Sequence, residues 1–118
     1  IDIMEKNIFE KIRDGEETAD IVYRDDYITA FKDIDPNAPV HILIIPNKTI
    51  VSLNDIQEED SSYLSNILLG AKKIAKQFNI DEMGYRLITN CGSDGGQEVP
   101  YLHFHLVGGL KLLLCWYN

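Results

Sequence analysis

Residues 40–45 form the densest apolar run of the chain, broken only by His41. A run so short and so apolar predicts a strand in the middle of a sheet, covered on both sides and ended by Pro46. Residues 101–106 alternate instead. Tyr101, His103 and His105 fall on one face, and Leu102, Phe104 and Leu106 on the other. Gly108-Gly109 closes that strand. Ile21–Arg24 and residues 27–34 predict a hairpin turning at Asp25-Asp26. Its second strand puts Ile28, Ala30, Lys32 and Ile34 on one face and Tyr27, Thr29, Phe31 and Asp33 on the other. A fifth strand spans 85–90, with Arg86, Ile88 and Asn90 together.

Two segments carry the helical period. In residues 58–79, Tyr63, Leu64, Ile67, Leu68, Ala71, Ile74, Ala75 and Phe78 recur at helical spacing. Acidic residues stand at the start of that helix and Lys72, Lys73 and Lys76 near its end, as the dipole favours. Gly70 inside it costs roughly 1 kcal/mol against alanine and marks a close approach by a neighbouring element. A short helix is predicted over 6–14, capped by Asn7 with Glu10 three residues on and Gly15 past its end. Ile8, Phe9 and Ile12 form its apolar stripe. Residues 16–20 read as a polar connector, Asp35-Pro36-Asn37-Ala38-Pro39 as a stiff linker, and 47–57 as loop with one helical turn near Asp55. Five closely connected strands and one long helix predict an α+β domain, an antiparallel sheet with the helix on one face.

Composition narrows this only in places. The 118 residues make one domain. A formal charge of -8 argues against long nucleic acid as a partner but leaves room for a small nucleotide. Cys91 and Cys115 fit no metal-ligand spacing and read as free thiols of a reducing cytosol. No apolar run reaches the ~18 residues that span a bilayer, and the charged N-terminal residues do not read as a signal peptide. A cytoplasmic protein with no membrane partner is the expectation. The apolar tail, 110–118, extends the last strand or packs on a partner.

The histidines carry the chemistry. His103 and His105 share a strand face roughly 7 Å apart, and His41 is the remaining histidine. Two readings are open. All three imidazoles can bind zinc, or one acts as a nucleophile on phosphorus while another serves as acid or phosphate clamp. The loop Gly92-Ser93-Asp94-Gly95-Gly96 leads into the strand, and its amides make an anion nest aimed at His103. That tilts the choice towards phosphate. Asp33 beside Phe31 suits a nucleoside, the ring on the base and the carboxylate on ribose, with Phe9 and Ile12 closing the pocket. Lys72, Lys73 and Lys76 read as a solvated helix face.

The segment Gln97-Glu98-Val99-Pro100-Tyr101-Leu102-His103-Phe104-His105-Leu106-Val107-Gly108-Gly109 resembles the His-x-His-x-His-x-x motif of the histidine-triad nucleotide-binding proteins. Residues 7–12, 30–41, 45–46 and 90–97 look similar too, so the resemblance covers about 5–109. It implies a homodimer built on the long helix, with two sheets joined, and gives Gly70 a reason there. It implies hydrolysis of purine nucleoside phosphoramidates or related adenylates through a nucleotidyl-histidine, with no cofactor. Carried over, His103 is the nucleophile, His105 binds phosphate oxygens and helps the leaving group, and His41 supports the nucleophilic imidazole. Asp33 holds ribose; Phe9, Ile12, Phe31 and Ile34 line the base pocket; Asn90, Gly96 and Gln97 form the phosphate-side loop.

The chain departs from the motif at Tyr101, which stands where the first triad histidine belongs. In the family the carbonyl at that position accepts a hydrogen bond from the nucleophile, and such a contact needs no particular side chain. Activity is expected to persist; the alternative is a nucleotide-binding interaction protein with weak or lost catalysis. Asn7 and Glu10 occupy positions where some relatives carry cysteines, so no structural zinc is expected. The tail departs as well: where the family often has a polar turn and a tryptophan near the partner's active site, this chain has Leu110-Lys111-Leu112-Leu113-Leu114-Cys115-Trp116, which leaves the role of Trp116 open.

Overall fold

The computed structural model describes residues 5–113; the expectations for Cys115 and Trp116 fall outside them. The elements run α1 (Ile8–Arg13), β1 (Ile21–Arg24), β2 (Ile28–Lys32), β3 (Val40–Pro46), α2 (Ser61–Gln77), β4 (Tyr85–Ile88) and β5 (Phe104–Gly108). All five strands pair antiparallel in the order β1-β2-β3-β5-β4. The apolar run is thus the central strand. The order leaves β1 and β4 as edges.

Each sheet face is covered by a different helix. Ile28, Ala30, Ile42, Ile44 and Leu106 meet Ile67, Ala71, Ile74 and Ala75 of α2 in the larger core. The opposite face presents Phe31, Leu43 and Ile45 to Phe9 and Ile12 of α1, with Tyr101 among them. The alternation in β3 therefore splits Ile42 and Ile44 from His41, Leu43 and Ile45, and the face bearing His41 is the one under α1.

Local chemistry explains the boundaries. Asn7 and Glu10 form a reciprocal capping box that starts α1. The long helical segment begins as a single 3-10 turn over Glu58–Asp60 before α2, because Gln57 and Asp60 cap that turn and Lys48 grips the Asp60 carboxylate. Asn79 takes φ 59°, and Ile80 N–H returns to Ala75 O at 3.0 Å, which stops the helix. β2 is shorter than 27–34. Tyr27 leaves the expected face and meets Tyr63 of α2 edge-on at 5.6 Å.

Gly70 has a reason within the chain itself. It is buried against the sheet, and a Cβ there would overlap Ile28 Cδ1. Its absence of a side chain lets α2 lie close on β2. Lys72, Lys73 and Lys76 are exposed, with Lys73 Nζ 6.0 Å from the Tyr23 ring. No helix among the described residues is long and apolar enough to cross a membrane.

Candidate active site

The antiparallel register sets Leu43 opposite His105 and His41 opposite Val107. His41 and His105 are thereby diagonal neighbours on the face under α1, within reach of each other. His41 Nε2 lies 2.9 Å from His105 Nδ1. The His103 and His105 ring centres are 5.2 Å apart, so all three imidazoles of the chain converge. All three are buried.

His103 precedes the regular part of β5, and other bonds hold it. Tyr101 N–H donates to Val99 O, and Leu102 N–H to Ile50 O at 2.6 Å. The Thr89 hydroxyl donates to His103 O at 2.7 Å. His103 Nδ1 sits 2.6 Å from the Tyr101 carbonyl. A carbonyl only accepts, so Nδ1 carries the proton and Nε2 the lone pair. Phe9 meets the His103 ring edge-on at 4.9 Å, fixing its plane.

Tyr101 is fully buried. Its hydroxyl donates to Pro46 O and accepts from Arg13 Nη1 at 3.4 Å. The phenol thus ties this segment to the end of β3 and to α1, while its carbonyl holds the nucleophile candidate. Burial raises the phenol's pKa, so it stays protonated.

Burial also lowers the pKa of every histidine here. Desolvation dominates for His41 and His103. For His105, desolvation and then the two neighbouring imidazoles bring it to about 4. At neutral pH the cluster is uncharged, which suits a nucleophile.

These groups open on a cleft of about 640 Å³, within the range of small-molecule sites. Phe9, Ile12, Phe31, Asp33, His103 and His105 line it, as does Gly96. Ile34 reaches its rim but is wholly exposed, so it covers little of the base side. Asp33 N–H donates to His41 O at 3.0 Å, extending the ladder one step. Its Oδ1 accepts from Asp35 N–H at 2.9 Å, and its Oδ2 lies 3.3 Å from His41 Nε2. The carboxylate faces the cleft while already engaging a histidine.

Several expectations need correction. His41 Nε2 meets His105 Nδ1, the neighbour that the strand register makes diagonal to it, where the resemblance implied the ring of His103. The amides of the 92–96 loop do not all point outward. Gly92 N–H binds Gln97 Oε1, Gly96 N–H binds Ser93 O, and Gln97 N–H binds Gly92 O. The Gln97 amide group donates to Val51 O and Val99 O, so its side chain builds the loop. Neither Asn90 nor Gln97 lines the cleft. Among the described residues, the donor cluster geometrically suited to a metal is Asp33, His41 and His105, within 4.8 Å of one another; His103 does not belong to it.

Sequence reasoning missed part of the lining. Glu17, Thr18, Ala19 and Asp20, read only as a connector, form one wall, and Leu43 forms the floor. Leu43 was detectable, two residues from His41 on the same face; nothing in the connector's composition marked it.

The HIT domain model matches residues 14–112. The chain belongs to the HIT family. Among HIT relatives, the purine nucleoside phosphoramidase of Escherichia coli K12 is 52% identical over 108 residues, covering 92% of this chain and 91% of that protein. A HIT family hydrolase from Legionella pneumophila superposes with a TM-score of 0.90 at 49% identity, covering 92% of this chain and 97% of its own. A histidine triad protein from Clostridium difficile gives 0.88 at 47% identity, covering 92% and 95%. These likenesses support a HIT hydrolase, and they confirm the five-stranded α+β fold expected from the sequence.

Proposed function

We propose that this HIT protein hydrolyses purine nucleoside phosphoramidates or related adenylates and releases a nucleoside monophosphate. The observation that carries the reading is the 2.6 Å contact from His103 Nδ1 to the Tyr101 carbonyl beside an apolar cleft. It supports the view that replacing the first triad histidine keeps the contact the nucleophile needs. The 52% identical phosphoramidase of E. coli supports the substrate class.

In this reading the base lies among Phe9, Ile12 and Phe31, and Asp33 faces the ribose. Ile34 adds cover at the mouth. Gly96 borders the phosphate, with Asn90 and Gln97 shaping the loop behind it. His103 Nε2 attacks the α-phosphorus as the phosphorus–nitrogen bond breaks. The departing amine takes its proton from solvent, while neutral His105 donates a hydrogen bond from Nε2 to the phosphate oxygens. Water then attacks the nucleotidyl-His103, its hydroxyl joins phosphorus as its proton passes to solvent, the phosphorus–Nε2 bond breaks, and the nucleoside monophosphate leaves. The reaction draws on no cofactor and takes place in the cytoplasm.

The active form is a homodimer. β4 is a sheet edge, and α2 exposes Leu68 and Leu69; a second copy would extend the sheet and cover both leucines. Leu68→Glu with Leu69→Glu is expected to give a monomer by light scattering, and an unchanged mass refutes the interface.

The deciding assay is AMP release from an adenosine phosphoramidate. His105→Ala is expected to lower kcat/KM roughly 10²–10⁴-fold, and His103→Ala at least as far. Wild-type turnover by His103→Ala would overturn the reading. AMP binding by the parent protein with no turnover would favour a nucleotide-binding interaction protein instead.

A further inference from the structure

The contacts behind the histidines determine where their protons sit. The backbone amide of Asn37 donates to His41 Nδ1 at 3.0 Å. A backbone N–H only donates, so Nδ1 holds a lone pair there. An imidazolium would need a proton on Nδ1 facing that N–H head on, so the ring is neutral and its single proton is on Nε2. That nitrogen faces His105 Nδ1 at 2.9 Å and Asp33 Oδ2 at 3.3 Å. His41 therefore donates to His105 Nδ1, and neutral His105 carries its own proton on Nε2.

We propose that the Asn37 backbone amide is the positioning group that sets this proton order, making His105 a donor, and that it bars a divalent cation from the Asp33–His41–His105 cluster. The second half follows from the first. The three donor atoms lie close enough to hold a metal. A zinc ion bound at His41 Nε2 displaces the proton from that nitrogen. A neutral ring must then carry it on Nδ1, where it meets the Asn37 N–H head on at the present 3.0 Å. Two donors facing each other in a buried site are unfavourable. The linker Asp35-Pro36-Asn37-Ala38-Pro39 thus acts on the active site through its backbone. The role given to His105 rests on the phosphoramidase reading; the proton order and the metal exclusion do not.

The test uses the intact protein without substrate. Long-range proton–nitrogen spectra at pH 7 are expected to show His41 and His105 as Nε2–H tautomers and His103 as the Nδ1–H tautomer. A His41 or His105 protonated on Nδ1 overturns the proposal, whatever the fate of the hydrolase assay. Asn37→Ala keeps the amide and is expected to keep the pattern. Asn37→Pro removes it and is expected to shift His41 towards Nδ1–H. Zinc chloride titrated alone is expected to bind Asn37→Pro roughly 10–100-fold more tightly than the parent, the scale on which outer-shell partners tune metal sites. Equal zinc affinity in the two overturns the metal exclusion. If Asn37→Pro does not fold, the spectra of the parent still decide the proton order.

Discussion

Tyr101→Phe separates what the phenol does from what its backbone does. The ring is fully buried and packs edge-on with Phe9 at a centroid distance of 6.4 Å. Phenylalanine keeps that packing and keeps the carbonyl that accepts from His103 Nδ1. Only the hydroxyl is lost. Pro46 O then loses its donor in a buried setting, and an unsatisfied buried acceptor costs about 1–3 kcal/mol. The Arg13 contact adds little, because it is long at 3.4 Å and Arg13 retains Asp14 and Thr49. The variant is therefore expected to lose about 1–3 kcal/mol in urea unfolding, with Tm falling by roughly 5–10 °C. Turnover of a phosphoramidate, assayed on the folded variant, is expected to stay near the parent's. Stability within about 0.5 kcal/mol of the parent refutes the tether. Normal stability with a rate loss of roughly 10²-fold would assign the hydroxyl to the reaction itself.

Folding stability should depend on acid through the buried imidazoles. Their folded values lie below the unfolded ~6.5, so their contribution is complete above pH 6.5 and lost as pH falls through the folded values. His105, at about 4, accounts for about 3 kcal/mol of this, and flat stability from pH 7 to 4.5 would refute it. The same depression places the acid limb of kcat/KM below pH 6.5, because His103 stays neutral there; a limb above pH 7 would contradict the burial argument. Gly70→Ala gains about 1 kcal/mol of helix propensity but overlaps Ile28 Cδ1, an overpacking of about 1–3 kcal/mol. Net destabilisation is expected, relieved when Ile28→Val removes that methyl, and additive losses in the double variant would refute the contact. Phe9→Ala removes an edge contact to Phe31 at 5.5 Å and one to His103 at 4.9 Å, and should raise KM for the phosphoramidate more than it lowers kcat; an unchanged KM would place the base elsewhere.

The fold was legible wherever burial wrote a period into the chain. Residues 40–45 announced a central strand because both faces of β3 are covered, and the α2 stripe predicted the residues that reach the sheet, except Leu68, which is exposed. The strand bearing the histidines was harder to bound. Tyr101, Leu102 and His103 continue the alternation, yet Val99 O, Ile50 O and the Thr89 hydroxyl hold them rather than the ladder. A pattern of side chains does not distinguish the two. The site was legible in its residue types: His103, His105, Asp33, Phe9 and Phe31 line one cleft, and His41 stands against His105. Their pairing was not, because whether His41 meets 103 or 105 depends on a register of β3 against β5 that no local signal fixes. Backbone donors such as the Asn37 amide leave no trace in side-chain identity. The glycine loop misled for the same reason, since its composition shows that amides are accessible but not that Gln97 Oε1 and Ser93 O take those of Gly92 and Gly96.

Helix α1 has only six residues, far short of the ~12–15 at which an isolated helix becomes even marginal. The Asn7–Glu10 box secures its first turn, and the Arg24 guanidinium on β1 binds the carbonyls of Ile12 and Arg13 at its last. Phe9 and Ile12 anchor it from below. One wall of the cleft is therefore a unit whose order is lent by its neighbours. Such a unit opens by itself, at a free energy below that of global unfolding. Its amides should exchange with solvent well ahead of those in β3, and an occupant wedged against Phe9 and Ile12 should slow them selectively, because it binds only the closed form. Exchange in this one turn and a half of helix would report occupancy of the cleft while the rest of the molecule stays silent.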